Sequence, residues 1–225
     1  MEDNGRGGGE SADGGVFRSG FVSLTGKPNV GKSTLINALV GEKIAAVSSK
    51  PNTTRNRIVG VVNTPGAQLI FVDTPGIHRA RQQLNKRMVK VAVDAMADVD
   101  VVGMVLDAEN SFDAADRYII ERIPKPFIAI VNKIDKVRKS RVLEIMAECQ
   151  ELGERVLEVV PVSALTGEGL SELVDVIRVY LPPGPRYFPD DTFTDQPERL
   201  LVAEYIREKI FNLTRQELPY KTAVA

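Results

Sequence analysis

With 225 residues, 43% of them hydrophobic, the chain is long enough for one substantial domain with a buried core and the beginning of a second. Its 29 Lys and Arg stand against 30 Asp and Glu, a formal net charge of −1, so no overall basic excess points to nucleic acid. A lone cysteine, Cys149, excludes an intramolecular disulfide, and no uninterrupted apolar run is long enough to cross a bilayer.

Residues 1–16 read as a disordered tail. Met1 to Gly20 holds seven Gly, four acids and two Arg, without the apolar core of a signal peptide or the acid-poor character of a transit peptide. From Phe17 onward strand, loop and helix alternate. Phe21 to Thr25 is a strand, and Ser33 to Val40 a helix with Leu35, Ile36 and Leu39 on one side. Ile58 to Val62 and Gln68 to Val72 flank the turn signal Pro65-Gly66, which predicts an antiparallel hairpin. Leu84 to Met96 has helical spacing. Val99 to Leu106 is nearly continuous apolar sequence, as in a strand buried on both faces. Helices follow over Ala114 to Ile123, Ser140 to Leu152 and Leu170 to Leu181, with strands over Pro126 to Val131 and Arg155 to Val160. The alternation implies a mainly parallel sheet covered on both faces, with the hairpin adding an antiparallel edge strand.

The pattern changes at Pro182. Pro182-Pro183-Gly184-Pro185 opens a linker over residues 183–196, dividing a first domain at 17–182 from the start of a second at 197–225. Pro197 to Leu213 reads as an amphipathic helix with Leu201, Tyr205, Ile206 and Ile210 on one face.

Gly26-Lys27-Pro28-Asn29-Val30-Gly31-Lys32-Ser33 fits G-x-x-x-x-G-K-[ST] and lies between a strand and a helix, the context this phosphate-binding loop requires. Glycines let backbone N–H groups turn in around phosphate oxygens, and the helix N-terminus adds its positive end. Lys32 should reach the β- and γ-phosphates, Ser33 should ligate Mg²⁺, and Thr34 completes the nucleotide-binding run from Gly26. Asp73-Thr74-Pro75-Gly76 follows a strand. Asp73 would hold Mg²⁺ through a water, and the Gly76 N–H would sense the γ-phosphate. Asn132-Lys133-Ile134-Asp135 ends another strand. The Asp135 carboxylate can accept from guanine N1–H and N2–H₂, Asn132 can brace the phosphate loop, and the Lys133 stem can lie over the ring. Ser163-Ala164-Leu165 follows a further strand and would bring the Ala164 N–H to guanine O6. These motifs imply an α/β P-loop NTPase three-layer sandwich that binds and hydrolyses GTP.

The motif order resembles that of the translation-factor-related GTPases. Gly26 through Leu35, Pro51-Asn52-Thr53-Thr54-Arg55 and Asp73-Thr74-Pro75-Gly76 are similar to the Era branch of the Era/TrmE/Der group. So are Pro197 to Glu204, Ile206-Arg207-Glu208-Lys209 and Glu217-Leu218-Pro219-Tyr220, which resemble the start of that family's second domain. Asn52 departs from the Gln expected there. The resemblance implies a GTP/GDP switch that assists small ribosomal subunit (30S-type) assembly. The rRNA contact would be made by a KH-type domain, expected to be truncated here because no Gly-x-x-Gly follows Leu181. It also implies peripheral membrane contact and a monomeric state as expectations, in a bacterial cytoplasm or an organelle.

For hydrolysis, Thr54, ahead of Thr53, should bring a hydroxyl to Mg²⁺. The position that carries a water-orienting Gln in Ras-like switches is Ile77. Relatives with Asn at the Asn29 position use it to help hold K⁺, so Lys32, Thr54, Gly76 and Asn29 form the expected catalytic set. His78, Arg79 and Arg81 read as exposed switch-loop residues. The alternatives are a tRNA-modification relative of the TrmE/Der group and a nucleotide-dependent interaction module with negligible turnover.

Overall fold

The computed structural model describes residues 16–46, 58–73, 96–110 and 112–213. Six strands form one sheet: β1 (Arg18–Thr25), β2 (Ile58–Thr64), β3 (Ala67–Asp73), β4 (Val101–Asp107), β5 (Phe127–Asn132) and β6 (Val156–Pro161). Their spatial order is β2-β3-β1-β4-β5-β6. All neighbours are parallel except β2 and β3, the hairpin that Pro65-Gly66 closes, which leaves β2 antiparallel at the edge. Every residue of β4 is buried, as the continuous apolar run requires of a strand covered on both faces.

Helices α1 (Lys32–Val40), α2 (Ala114–Ile120), α3 (Lys139–Gln150), α4 (Leu170–Tyr180) and α5 (Glu198–Leu213), with short 3-10 turns at Ile134–Lys136 and Gly153–Arg155, complete the described elements. Leu35 and Ile36 of α1 and Leu173 and Ile177 of α4 pack on one sheet face. Ile119 and Ile120 of α2, with Ile145 and Cys149 of α3, pack on the other. This is the expected three-layer α/β sandwich. Cys149 is core, and burial pushes its thiol up to about 12. No helix among the described residues is long and apolar enough to cross a membrane.

The structure departs from the sequence reading at three places. Helix α2 stops at Ile120, not Ile123. The N–H groups of Arg122 and Ile123 turn back to Ile119 and Ile120, because Pro124 lacks an N–H and disfavours helical backbone before it. Of the helix expected over 84–96, only Met96, which is helical, lies within the described residues.

The second departure is the segment expected to be a linker, which is strapped to the sheet. Ser19 donates its N–H to Pro182 O, and its hydroxyl donates to Pro185 O at 2.6 Å. Fully buried Gln68 accepts the N–H groups of Tyr187 and Phe188 at 2.8 and 3.0 Å and donates to Phe188 O at 2.9 Å. Thr194 then bridges antiparallel to Gly60, and Phe193 O accepts from Val61 N, so the strap covers part of the open edge of β2.

Third, α5 docks on the sandwich with only part of the expected face, Leu201 and Tyr205, joined by Glu208 in place of Ile206. Leu201 packs on the α1–α4 cluster, the Tyr205 hydroxyl donates to Lys43 O, and Lys43 Nζ meets Glu208 Oε1 at 2.6 Å. Positions 201, 205 and 208 follow the i, i+4, i+7 rule, whereas Ile206 lies off that stripe and is 44% exposed.

Candidate functional site

Strand β1 runs from Arg18 to Thr25 and hands the chain to Gly26. Gly26 has φ 146°, and a Cβ there would lie 2.4 Å from Val105 O of β4. Gly31 has φ 98°, and its Cβ would lie 2.3 Å from Asn132 Nδ2 at the end of β5. Side chains are therefore excluded at both positions by backbone conformation and by contact. Asn29 between them is also left-handed, with φ 66°, a region Asn tolerates better than most residues.

Lys32 opens α1 and is 9% exposed; its Nζ donates to Gly26 O at 2.9 Å and to Lys27 O at 2.8 Å. The ammonium thus sits inside the arc of the loop. Ser33 and Thr34 follow in the first turn of α1, where the helix N-terminus favours anions. Asp73 ends β3 in register with Leu24 of β1, so its backbone lies one strand from the loop. Thr54, Thr74, Pro75 and Gly76 lie outside the described residues, as do Thr53, Ile77, His78, Arg79 and Arg81.

Asn132 joins three segments. Its Nδ2 donates to Val30 O at 2.8 Å, and its Oδ1 accepts from Ala164 N at 3.0 Å. The side chain is 1% exposed, so one amide ties the phosphate loop to the 163–165 turn. Ala164 N–H, expected to face a base oxygen, is engaged by Asn132. Ser163 donates its hydroxyl to Asp135 Oδ1 at 2.5 Å and accepts from Thr166 N at 3.1 Å. It therefore orients the Asp135 carboxylate, while Leu165 stands 75% exposed. Lys133 is left-handed, with φ 68°, and its Nζ pairs with Asp107 at 2.6 Å and Glu109 at 3.5 Å. Lys27, Pro28, Asn29, Val30, Asp107, Glu109, Asn110 and Lys133 line a cleft of about 660 Å³.

Three acids on this end of the sheet escape the motif reading. Asp107 closes β4. Asp113 caps α2, accepting from Ala115 N and Asp116 N, while Asp116 accepts from Asp113 N, a reciprocal capping box. Both caps also hold Lys27, at 3.1 Å from Asp113 and 2.8 Å from Asp116. Burial pushes the Asp116 carboxyl above the ordinary carboxylate range, more than its bond to Lys27 pulls it down. For Lys27 burial acts downward, but the two carboxylates outweigh it and leave the amine raised. An acid at the carboxyl end of a parallel strand and an Asp-x-x-Asp pair before a helix were the available signals.

A phosphate-type loop and a base-type motif meet at the carboxyl ends of one doubly covered parallel sheet, which defines a P-loop nucleotide-binding protein. Residues 21–133 match the family model described as 50S ribosome-binding GTPase, and the chain is 51% identical over 211 residues to the GTPase Era of Geobacter metallireducens, covering 92% of this chain and 70% of that one. The chain belongs to the Era family of GTPases. A crystal structure of Era with MgGDPNP and nucleotides 1506–1542 of 16S ribosomal RNA superposes with a TM-score of 0.84 at 43% identity, over 90% of this chain and 70% of that one. An Aquifex aeolicus Era variant bound to GDP and AlF₄⁻ gives the same figures: a TM-score of 0.84, 43% identity, and 90% and 70% coverage.

Proposed function

We propose that this chain binds GTP with Mg²⁺, hydrolyses it to GDP and phosphate, and acts as a switch in small ribosomal subunit assembly. The second domain beginning at residue 197 would provide the contact to rRNA. The observation that carries the reading is Asn132. It ties the phosphate loop at Val30 to the turn at Ala164, beside an Asp135 whose carboxylate Ser163 orients. An oriented carboxylate accepts from the N1–H and N2–H₂ of guanine, and adenine offers no such pair. Guanine O6 would share the Ala164 N–H with Asn132. Relatives of the same family are held in crystals with MgGDPNP and with GDP and AlF₄⁻, and one with 16S rRNA, which supports nucleotide turnover and an RNA partner.

The donor set fits Mg²⁺. Ser33 follows the inward-turned Lys32 in the first turn of α1, and Asp73 ends the strand next to the loop, giving hydroxyl and carboxylate oxygens of the kind a hard cation takes. Ser33, Asp73 and Thr54 would hold the ion, which supplies charge neutralisation on the β- and γ-phosphate oxygens when bound. Lys32 adds its own charge there, and Gly76 would order the switch behind it. Asn29, left-handed in the wall of the cleft, would help hold K⁺ in the place of an arginine finger.

Single-turnover phosphate release measured in KCl and in NaCl tests this. Hydrolysis is expected in both salts and faster in KCl, with Asn29→Ala erasing the difference. Equal wild-type rates would remove K⁺ from the reading, and no hydrolysis in either salt would leave a nucleotide-dependent interaction module. Asp135→Asn is expected to turn preference from GTP to XTP by about tenfold or more, because the new amide donates to xanthine O2 where the carboxylate accepted from guanine.

A further inference from the structure

Lys133 belongs to the Asn-Lys-x-Asp motif, but its four-carbon stem is intrinsically flexible. A side chain that must lie flat beside a base needs something to hold its far end. Asp107 and Asn132 are register partners on β4 and β5, so the acid and the lysine that follows leave neighbouring strands together. Lys133 Nζ donates to Asp107 Oδ2 at 2.6 Å.

The carboxylate is itself held. Asp107 is 8% exposed; its Oδ1 accepts from Glu109 N at 3.0 Å, and its Oδ2 also accepts from Asn110 Nδ2 at 2.9 Å. Glu109 adds a second carboxylate 3.5 Å from Lys133 and is steadied by Lys136 at 3.2 Å. An exposed ion pair contributes little because both partners lose rotamer freedom to make it. Here the acid is already ordered by the turn, so only the lysine has freedom to lose. The ion pair and phosphate-loop residues Lys27 to Val30 line the same cleft.

We propose that Asp107 is the positioning residue for Lys133: its carboxylate fixes where the lysine stem lies beside the purine base and thereby sets guanine-nucleotide affinity. The inference rests on the base-site reading given above. Asp107 does not touch the nucleotide in this account; it acts by removing the wrong positions of Lys133 before the base arrives.

The test is the release rate of a fluorescent GDP from Asp107→Asn, Lys133→Met and the double variant. Asn keeps an oxygen for the Glu109 N–H but loses the charge that holds the lysine. Each single variant is expected to release GDP about tenfold faster, as for the loss of a hydrogen bond to a charged group. The double variant should be no faster than the worse single one, and Asp107→Glu, which keeps the carboxylate, should recover most of the effect. Additive effects, or parental release from Asp107→Asn, would overturn the proposal, since a carboxylate that only closes its turn has no reason to couple to Lys133. If Asp107→Asn does not fold by circular dichroism, Asp107→Ser replaces it, because a hydroxyl can also accept from Glu109 N. Asp135→Asn separates the two levels of the argument. Retained GTP preference in that variant sinks the base site, whereas a switch to XTP beside unaltered release from Asp107→Asn removes Asp107 alone.

Discussion

Asn132 connects the two halves of the site through a single side chain. Replacing it by Ala strands Val30 O and Ala164 N, both buried, and opens space against Gly31. Lost hydrogen bonds of this kind cost about 1–3 kcal/mol each. Asn132→Ala should therefore lower urea-unfolding stability by about 2–6 kcal/mol and weaken GDP binding at least tenfold. Unchanged stability would mean that water takes over both bonds and that the tie is not structural. The residues proposed to face the nucleotide stand out in the sequence because phosphate and guanine chemistry dictate residue type and spacing together: Gly26 to Ser33, and Asn132 to Asp135. Their supports do not. Lys27 meets Asp113 across 86 positions and Lys133 meets Asp107 across 26, and no local pattern encodes pairings made by the order of strands. Ser163 was legible as part of a weak tripeptide, but its hydroxyl bond to Asp135 follows only once β5 and β6 lie side by side.

At the scale of elements, periodicity placed almost every strand and helix, and the β2–β3 hairpin followed from one Pro-Gly turn. Capping and proline effects moved the ends by a few residues. What periodicity could not show was the strap over 183–196, since a Pro-rich segment without alternation gives no hint of the edge it follows. It is held chiefly through Gln68, a residue with 0% exposure that sits in β3 and serves both Tyr187 and Phe188. Phe188 in turn covers Val59, Val61 and Ile70. Gln68→Leu keeps the volume and removes the clamp. It should cost about 1–3 kcal/mol and expose the Arg186–Tyr187 bond to trypsin sooner than in the parent chain. Equal cleavage rates would show that the backbone bridge at Thr194 and the Ser19 contacts hold the strap without Gln68. The docking face of α5 was legible only in part, at Leu201 and Tyr205, for a related reason. Apolar residues alone were counted, whereas the contact uses the Lys43–Glu208 pair, and Glu208 is 7% exposed despite its charge.

The molecule as a whole carries a net charge of −1, and its two parts divide the proposed work unequally. The proposed nucleotide site draws on five strand ends of one sheet, those of β1, β3, β4, β5 and β6. The chain spans 70% of the length of the Geobacter GTPase Era and of the Era–RNA crystal structure it matches, and its own residues 183–225 hold six Lys or Arg against seven Asp or Glu. Affinity for RNA rises with the number of phosphates that basic side chains neutralise, and it falls steeply with salt for the same reason. A segment with no basic excess has little of that term to offer. One of its cations, Arg186, is paired with Asp190, and the helix face carrying Leu201, Tyr205 and Glu208 is occupied against the first domain. Residues 1 to 225 should accordingly bind GTP while showing little sequence-specific affinity for a small-subunit rRNA 3′-end oligonucleotide. Fluorescence anisotropy at near-physiological salt, with a scrambled oligonucleotide as reference, measures this directly. Binding that is tight and lost on scrambling would place a sequence-reading surface within these residues, built from shape and stacking instead of charge, and the α5 face would then have to leave Lys43 to make it.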